Sequence, residues 1–253
     1  MRPAHPSLAH LAHRPWPLPT TAWRMRMSWH DLAFLHWRVD ANAIAARLPR
    51  GLVVDTFDGS AWLGVVPFRM VATGIRGCPL IPGLHAFPEL NVRTYVRYGD
   101  RAGVWFFSLD ATSRLAVRAA RATFHLPYFD AAIDCRRDGD TVHYTSRRTH
   151  RGAPPAELAV RYAPNAPNAP LSHAARGTLE HFLVERYCLF AADRRGRLRC
   201  GEIHHPPWQI APADVAIERC SMTALAGCTL PNVAPHALVA APIDVVAWWT
   251  RRV

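Results

Sequence analysis

The chain of 253 residues contains no lysine; all 30 of its basic residues are arginines. No side chain can therefore form a Schiff base or act as an amine nucleophile, which leaves the N-terminal amine alone for such chemistry. No run approaches the roughly 18 uninterrupted apolar residues of a membrane-spanning helix. Met1 to Arg26 has prolines and histidines but no apolar core of a signal peptide, so the expected location is cytoplasmic. The cysteines, Cys78, Cys135, Cys188, Cys200, Cys220 and Cys228, form no C-x-x-C pair. That spacing argues against structural zinc, and no other metal site or cofactor motif is evident. Their apolar surroundings point to free buried thiols in a reducing compartment. There is no G-x-S-x-G elbow, phosphate-binding glycine loop, zinc finger or helix-turn-helix pattern. The net charge of +11 would attract acidic partners. The arginines are spread along the chain without a dense block, so nucleic acid is disfavoured as a partner. A small anion is favoured, and a homo-oligomer is left open.

Half of the residues are apolar, enough for a real core. The most informative stretch runs from Phe87 to Val96 and alternates with the period of a strand. Glu89, Asn91, Arg93 and Tyr95 share one face; Leu90, Val92, Thr94 and Val96 share the other. After a Gly99-Asp100 turn, Gly103 to Leu109 is apolar on both faces, as in a strand covered on both sides. If the two pair as a hairpin, the polar face is covered too. It then lines a site or belongs to a closed, fully paired buried network; the alternative is a solvated sheet face.

The rest reads as one domain, residues 28–253, behind a Pro/His-rich N-terminal arm, residues 1–27. Strands are expected at Leu32 to Val39, Gly51 to Phe57 and Trp62 to Val71, the last two joined at Asp58-Gly59. Asp40 is placed to cap a short helix that Pro49 stops. Gly77 to Pro88 is a loop long enough to be functional. Asp110 to Phe124 changes to helical period, with Asp110 or Thr112 as cap. Arg114, Arg118 and Arg121 form one stripe, a solvated face for the first two. Arg121, near the helix end, can turn inward or complement the dipole. Tyr128 to Cys135 and Thr141 to Arg147 read as a hairpin. Pro154 to Pro170, with its Pro-Asn-Ala-Pro-Asn-Ala-Pro run, reads as a loop. Leu179 to Glu185 looks helical, followed by strands at Tyr187 to Ala191, Leu198 to Ile203, Gln209 to Cys220 and Val239 to Trp249. With no βαβ rhythm, the fold class is α+β, a mainly antiparallel barrel or strongly curved sheet with a few flanking helices.

Glu89 is the carboxylate of the polar strand face. In a dry cavity its pKa would rise, which suits a general acid or base; paired with an arginine it would be structural. Arg93, about 13 Å along the strand from Glu89 at about 3.4 Å per residue, could fork onto a carboxylate or phosphate, or lock the barrel through an ion pair. Asn91 lies between them. Tyr95 and Tyr128 could donate to an oxyanion or anchor strands. Adjacent residues of an extended segment face opposite ways, so His204 and His205 cannot chelate one metal together, and only one of Glu185 and Arg186 can reach the interior.

The segments Trp29 to Trp37, Asp55 to Trp62, Val65 to Met70, Glu89 to Val96, Ser108 to Asp110, Leu126 to Phe129, Phe182 to Tyr187 and His205-Pro206-Pro207-Trp208 resemble the uncharacterised YqjF-like family. That family is similar to a branch of the acetoacetate decarboxylase-like superfamily. The resemblance implies an antiparallel β-barrel with a polar central cavity, and favours a small anionic metabolite such as a keto acid as ligand. Decarboxylases of the superfamily use a lysine Schiff base whose lysine pair would fall near Phe124-His125. Neither residue is lysine here, so imine-forming decarboxylation by a side chain is excluded. His125, near that slot, is a candidate acid or base or a satisfied core histidine. The expectation is a binder of a small carboxylate, with Arg93 as anchor, Glu89 and His125 as candidate catalysts, and Asn91, Tyr95, Arg121 and Tyr128 as substrate contacts. Any chemistry would be lyase-like or acid/base. A non-catalytic ligand-binding or sensing protein, or a scaffold with a closed polar network, remains the alternative.

Overall fold

The computed structural model describes residues 5–166, 170–228, 230 and 232–253. The N-terminal amine and residues 167–169 of the Pro-Asn-Ala run lie outside them. The strands of the described residues are β1 (Met25–His30), β2 (Leu32–Val39), β3 (Val53–Val54), β4 (Ala61–Ile75), β5 (Phe87–Tyr98), β6 (Arg101–Ala111), β7 (Tyr128–Asp138), β8 (Thr141–Arg148), β9 (Glu157–Pro164), β10 (Cys188–Ala192), β11 (Leu198–His204), β12 (Ile210–Cys220), β13 (His236–Ala240), β14 (Ile243–Ala247) and β15 (Arg251–Arg252). Three helices flank them: α1 (Ala41–Ala45), α2 (Arg114–Thr123) and α3 (Leu179–Val184). None of these is long and apolar enough to cross a membrane.

Twelve strands close into a ring, in the order β1, β14, β11, β10, β6, β7, β8, β9, β12, β13, β2, β4 and back to β1. Neighbours are antiparallel except β10 with β6 and β6 with β7. Strand β5 pairs with both β4 and β6 and crosses the ring as a partition. The smaller barrel so formed contains β1, β4, β5, β6, β10, β11 and β14; the larger contains β2, β4, β5, β6, β7, β8, β9, β12 and β13.

Period-two alternation decides what each barrel receives. Leu90 and Val92 of β5, Leu63 and Val65 of β4, Leu35 of β2, Tyr144 of β8 and Leu158 of β9 fill the larger barrel. Burying a Leu or Val of this kind contributes roughly 1.5–3 kcal/mol. The other faces of β4 and β5 carry Val66, Phe68, Met70 and Tyr95 into a second cluster with Met27, Leu109 and Val245. The hairpin of β5 and β6 turns at Gly99-Asp100, where Gly99 supplies a φ of +60°. Opposite Val92 and Arg93 the ladder carries a β-bulge whose extra residue, Phe107, lies on β6, since Val92 pairs with Ser108 and Arg93 with Phe106.

Several expectations are corrected. The arm ends at residue 24, because Met25–His30 forms β1 and closes the ring between β14 and β4. The described residues before it, 5–24, dock on the smaller barrel. Arg14 is buried and bonds Glu202 at 2.7 Å and the Ile203 carbonyl at 2.6 Å, and the Ser7 carbonyl bonds His204 at 2.8 Å. The expected hairpin at Asp58-Gly59 shrinks to one Phe57–Ser60 bridge, since β3 pairs with β5 instead of β4. The cap of α2 is Ser113, which accepts the Ala116 N–H; Asp110 instead belongs to β6. Val239 to Trp249 is two strands, because Pro242 offers no N–H to continue a ladder. Of these, β13 joins the larger barrel and β14 the smaller.

Candidate functional site

The smaller barrel encloses a cavity of about 160 Å³. Every strand of that barrel contributes to its wall, through Met27, Val66, Asn91, Val104, Leu189, Ile203 and Ala247 among others. Rings of about eight strands leave room to be filled by side chains or to hold one small ligand. The expected polar cavity is polar along β5, where Glu89, Asn91 and Arg93 face the space, and at Tyr128, Arg186 and His205; the remaining wall is mainly aliphatic, aromatic and thioether.

Glu89 stands at one end, 2 % exposed. Its Oε2 accepts the Tyr128 hydroxyl at 3.0 Å, and no cation lies within ion-pair distance among the described residues. Burial pushes the carboxyl up to about 8, against the pull of Tyr128, and the nearby Asp110 carboxylate adds to the rise. Glu89 is thus a neutral acid at pH 7, able to donate a proton or a hydrogen bond. Asp110 shows the contrast. It is held by Arg148 in a two-pronged pair of 2.8 and 2.6 Å, both side chains almost fully buried.

Arg93 lies at the other end. Its guanidinium donates to the Leu183 carbonyl at 3.1 Å and the Tyr95 hydroxyl at 3.2 Å, and packs over the Phe34 ring. Nε is buried without a partner, and no carboxylate of the described residues lies within 4 Å of the guanidinium. Tyr95 does not reach the cavity. Its hydroxyl donates to Leu183 at 2.9 Å and meets His36 Nε2 at 2.6 Å. With the tyrosine proton committed to Leu183, His36 must donate from Nε2, which leaves Nδ1 bare, as observed. Burial and the Arg93 charge hold the His36 pKa well below its ordinary value, so the ring is neutral. Gly64, in register with both His36 and Arg93, makes this cluster possible. A Cβ there would come within 2.9 Å of His36 Nε2.

Asn91, between the two ends, has its buried Oδ1 unpartnered. Such an atom costs free energy unless something binds it. Arg186 and His205 also line the cavity, and sequence reasoning did not single them out as site residues. The Arg186 charge is answered by Asp55 at 2.6 Å. His205 is held down in pKa by burial, and its Nδ1 meets the Pro206 carbonyl. Their signal was the extended His-His-Pro-Pro-Trp segment and the Glu-Arg-Tyr end of α3. The inward partner at α3 is Arg186; Glu185 instead accepts the Tyr187 hydroxyl and the Trp208 N–H.

Besides Tyr95, two candidates lie away from this space. Arg121 is exposed and donates to the Tyr128 carbonyl at 2.6 Å. His125 follows α2 with a φ of +57°, the left-handed residue that ends a helix, and faces a surface groove beside Trp105 and Pro127. Of the pair Phe124-His125, only Phe124 reaches the cavity. Among the described residues no group of His, Cys, Asp or Glu is arranged to hold a metal ion.

The family model of DUF2071, described as Uncharacterized conserved protein (COG2071), matches residues 26–244. The chain belongs to this family. It is 40% identical over 235 residues to Uncharacterized protein YqjF of Bacillus subtilis (strain 168), covering 93% of this chain and 95% of that protein. Among solved structures, acetoacetate decarboxylase from Legionella pneumophila superposes with a TM-score of 0.61 at 14% identity, over 94% of this chain and 92% of that one. The enduracididine biosynthesis enzyme MppR complexed with pyruvate gives a TM-score of 0.61 at 12% identity, over 99% and 97%. At such identities the shared property is the acetoacetate decarboxylase-like fold.

Proposed function

We propose that the cavity of the smaller barrel binds a small carboxylate, in keeping with a keto acid, with its anionic group on Arg93 and its carbonyl toward Asn91 and Glu89. The observation that carries this reading is the half-buried guanidinium of Arg93, uncompensated by any carboxylate of the described residues, lining the same space as a protonated carboxyl group. A half-buried charge without a counter-ion is a ready partner for an arriving carboxylate. The pyruvate-bound MppR relative in fold supports the ligand class. Chemistry in this space is acid/base chemistry, with Glu89 giving a proton to a carbonyl oxygen; no lysine is available for an imine.

The test is a thermal-shift screen of pyruvate and related carboxylates against wild type and Arg93→Met. Stabilisation of wild type and none of the variant is expected; no stabilisation of wild type by any of them would end the proposal. The complete absence of lysine also favours a second reading, a carrier or sensor that binds the same ligand without turnover. Glu89→Gln separates the two: loss of substrate consumption with binding retained marks an enzyme, whereas wild type that binds and never consumes marks a carrier.

A further inference from the structure

The apolar wall that flanks β5, on β1, β4 and β6, narrows the ligand class. Three methionines, Met25, Met27 and Met70, together with Trp29, Phe68 and Phe106, face the same space as the polar strip. Methionine walls are deformable and polarisable and adapt to apolar bodies of different shape. The polar groups also set the charge. Asp55 cancels Arg186, burial keeps Glu89 neutral, and His36 is neutral; Arg93 alone is left unbalanced. The space of about 160 Å³ is close to the roughly 150 Å³ of an apolar cavity that accepts benzene.

Resting on the reading above, we infer that the ligand is a monoanion with a compact apolar body: one carboxylate for Arg93 and a branched aliphatic or small aromatic group against the methionine and aromatic wall. A second anionic group would have to lie against that wall or beside the un-ionised Glu89, where nothing compensates it. Dicarboxylates and phosphate are therefore rejected, and pyruvate leaves most of the wall without a partner.

Calorimetric titration of the full chain at pH 7 with pyruvate, 4-methyl-2-oxopentanoate, 2-oxoglutarate and inorganic phosphate tests this. The branched keto acid is expected to bind at least about tenfold more tightly than pyruvate, from burial of its additional carbons, and at least about tenfold more tightly than the dianions. Arg93→Met should abolish all of this binding. Equal or tighter binding of pyruvate, 2-oxoglutarate or phosphate would overturn the apolar-body inference and leave the anion site standing. Binding of none of the four would overturn both.

Discussion

The two barrels share the wall of β4, β5 and β6 and differ in what they enclose. The larger is filled. Its tyrosine hydroxyls reach backbone carbonyls, Tyr144 to Glu89 at 2.7 Å and Tyr162 to Asp31 at 2.6 Å. Arg148, on β8, meets Asp110 from β6 in a closed two-pronged pair. The smaller barrel keeps open space, an arginine without a carboxylate, an asparagine oxygen without a donor and a carboxyl group that burial keeps protonated. One strand, β5, supplies residues to both, alternating Leu90 and Val92 with Glu89 and Asn91. The lesson is that the larger barrel is closed and packed, whereas the smaller keeps the unpaired polar groups that the proposed binding site would use, liabilities that natural proteins tolerate where function requires them.

Substitutions on the two sides should separate these roles. Asp110→Ala is expected to cost about 3–5 kcal/mol in urea unfolding, because it strands the Arg148 charge in the interior. Leu90→Ala, on the filled side of β5, should cost about 2–5 kcal/mol. Its neighbour Asn91→Leu should leave stability unchanged or raise it, since an unpaired buried oxygen disappears. If both neighbours cost the same, the two faces do not differ as described.

Glu89→Gln sharpens the comparison through pH. The native state keeps the Glu89 proton up to about 8, against 4.5 for the ordinary carboxyl, whereas the unfolded chain releases it above that lower value. The native state then binds more protons, and the stability present below the unfolded pKa is lost as pH rises through the native one. Between pH 6.5 and 8 wild type should lose about 2 kcal/mol more than Glu89→Gln, at about 1.4 kcal/mol per pH unit; parallel stability curves would place Glu89 in an ionised environment. A small effect on stability is likewise expected for Arg93→Met. Removing a half-buried charge that has no carboxylate partner should shift unfolding by less than about 1 kcal/mol in either direction while abolishing carboxylate binding.

The polar face of β5 was legible because period two needs only the local sequence. That β5 separates two barrels was not, since the partition depends on pairing with β4 and β6 and on β14 returning to β1. Arg186 and His205 reach the cavity through long-range placement by α3 and the His-Pro-Pro-Trp segment, which local pattern does not reveal. His125 was misplaced because its position near a helix end carries no sign that its backbone turns left-handed and aims the ring outward. Gly64 was readable in principle: a glycine inside a strand marks a close approach, and here that approach is the His36 ring against Arg93.

The most direct measurement is the affinity of wild type for 4-methyl-2-oxopentanoate from pH 6 to 9, repeated with Glu89→Gln and Arg93→Met. Wild-type affinity should fall as pH rises through about 8, where Glu89 ionises and adds a negative charge beside the anion. Glu89→Gln should bind without that dependence, and Arg93→Met should not bind. Undiminished binding by Arg93→Met, or a wild-type affinity flat across this range, would contradict a monoanion held between Arg93 and a protonated Glu89.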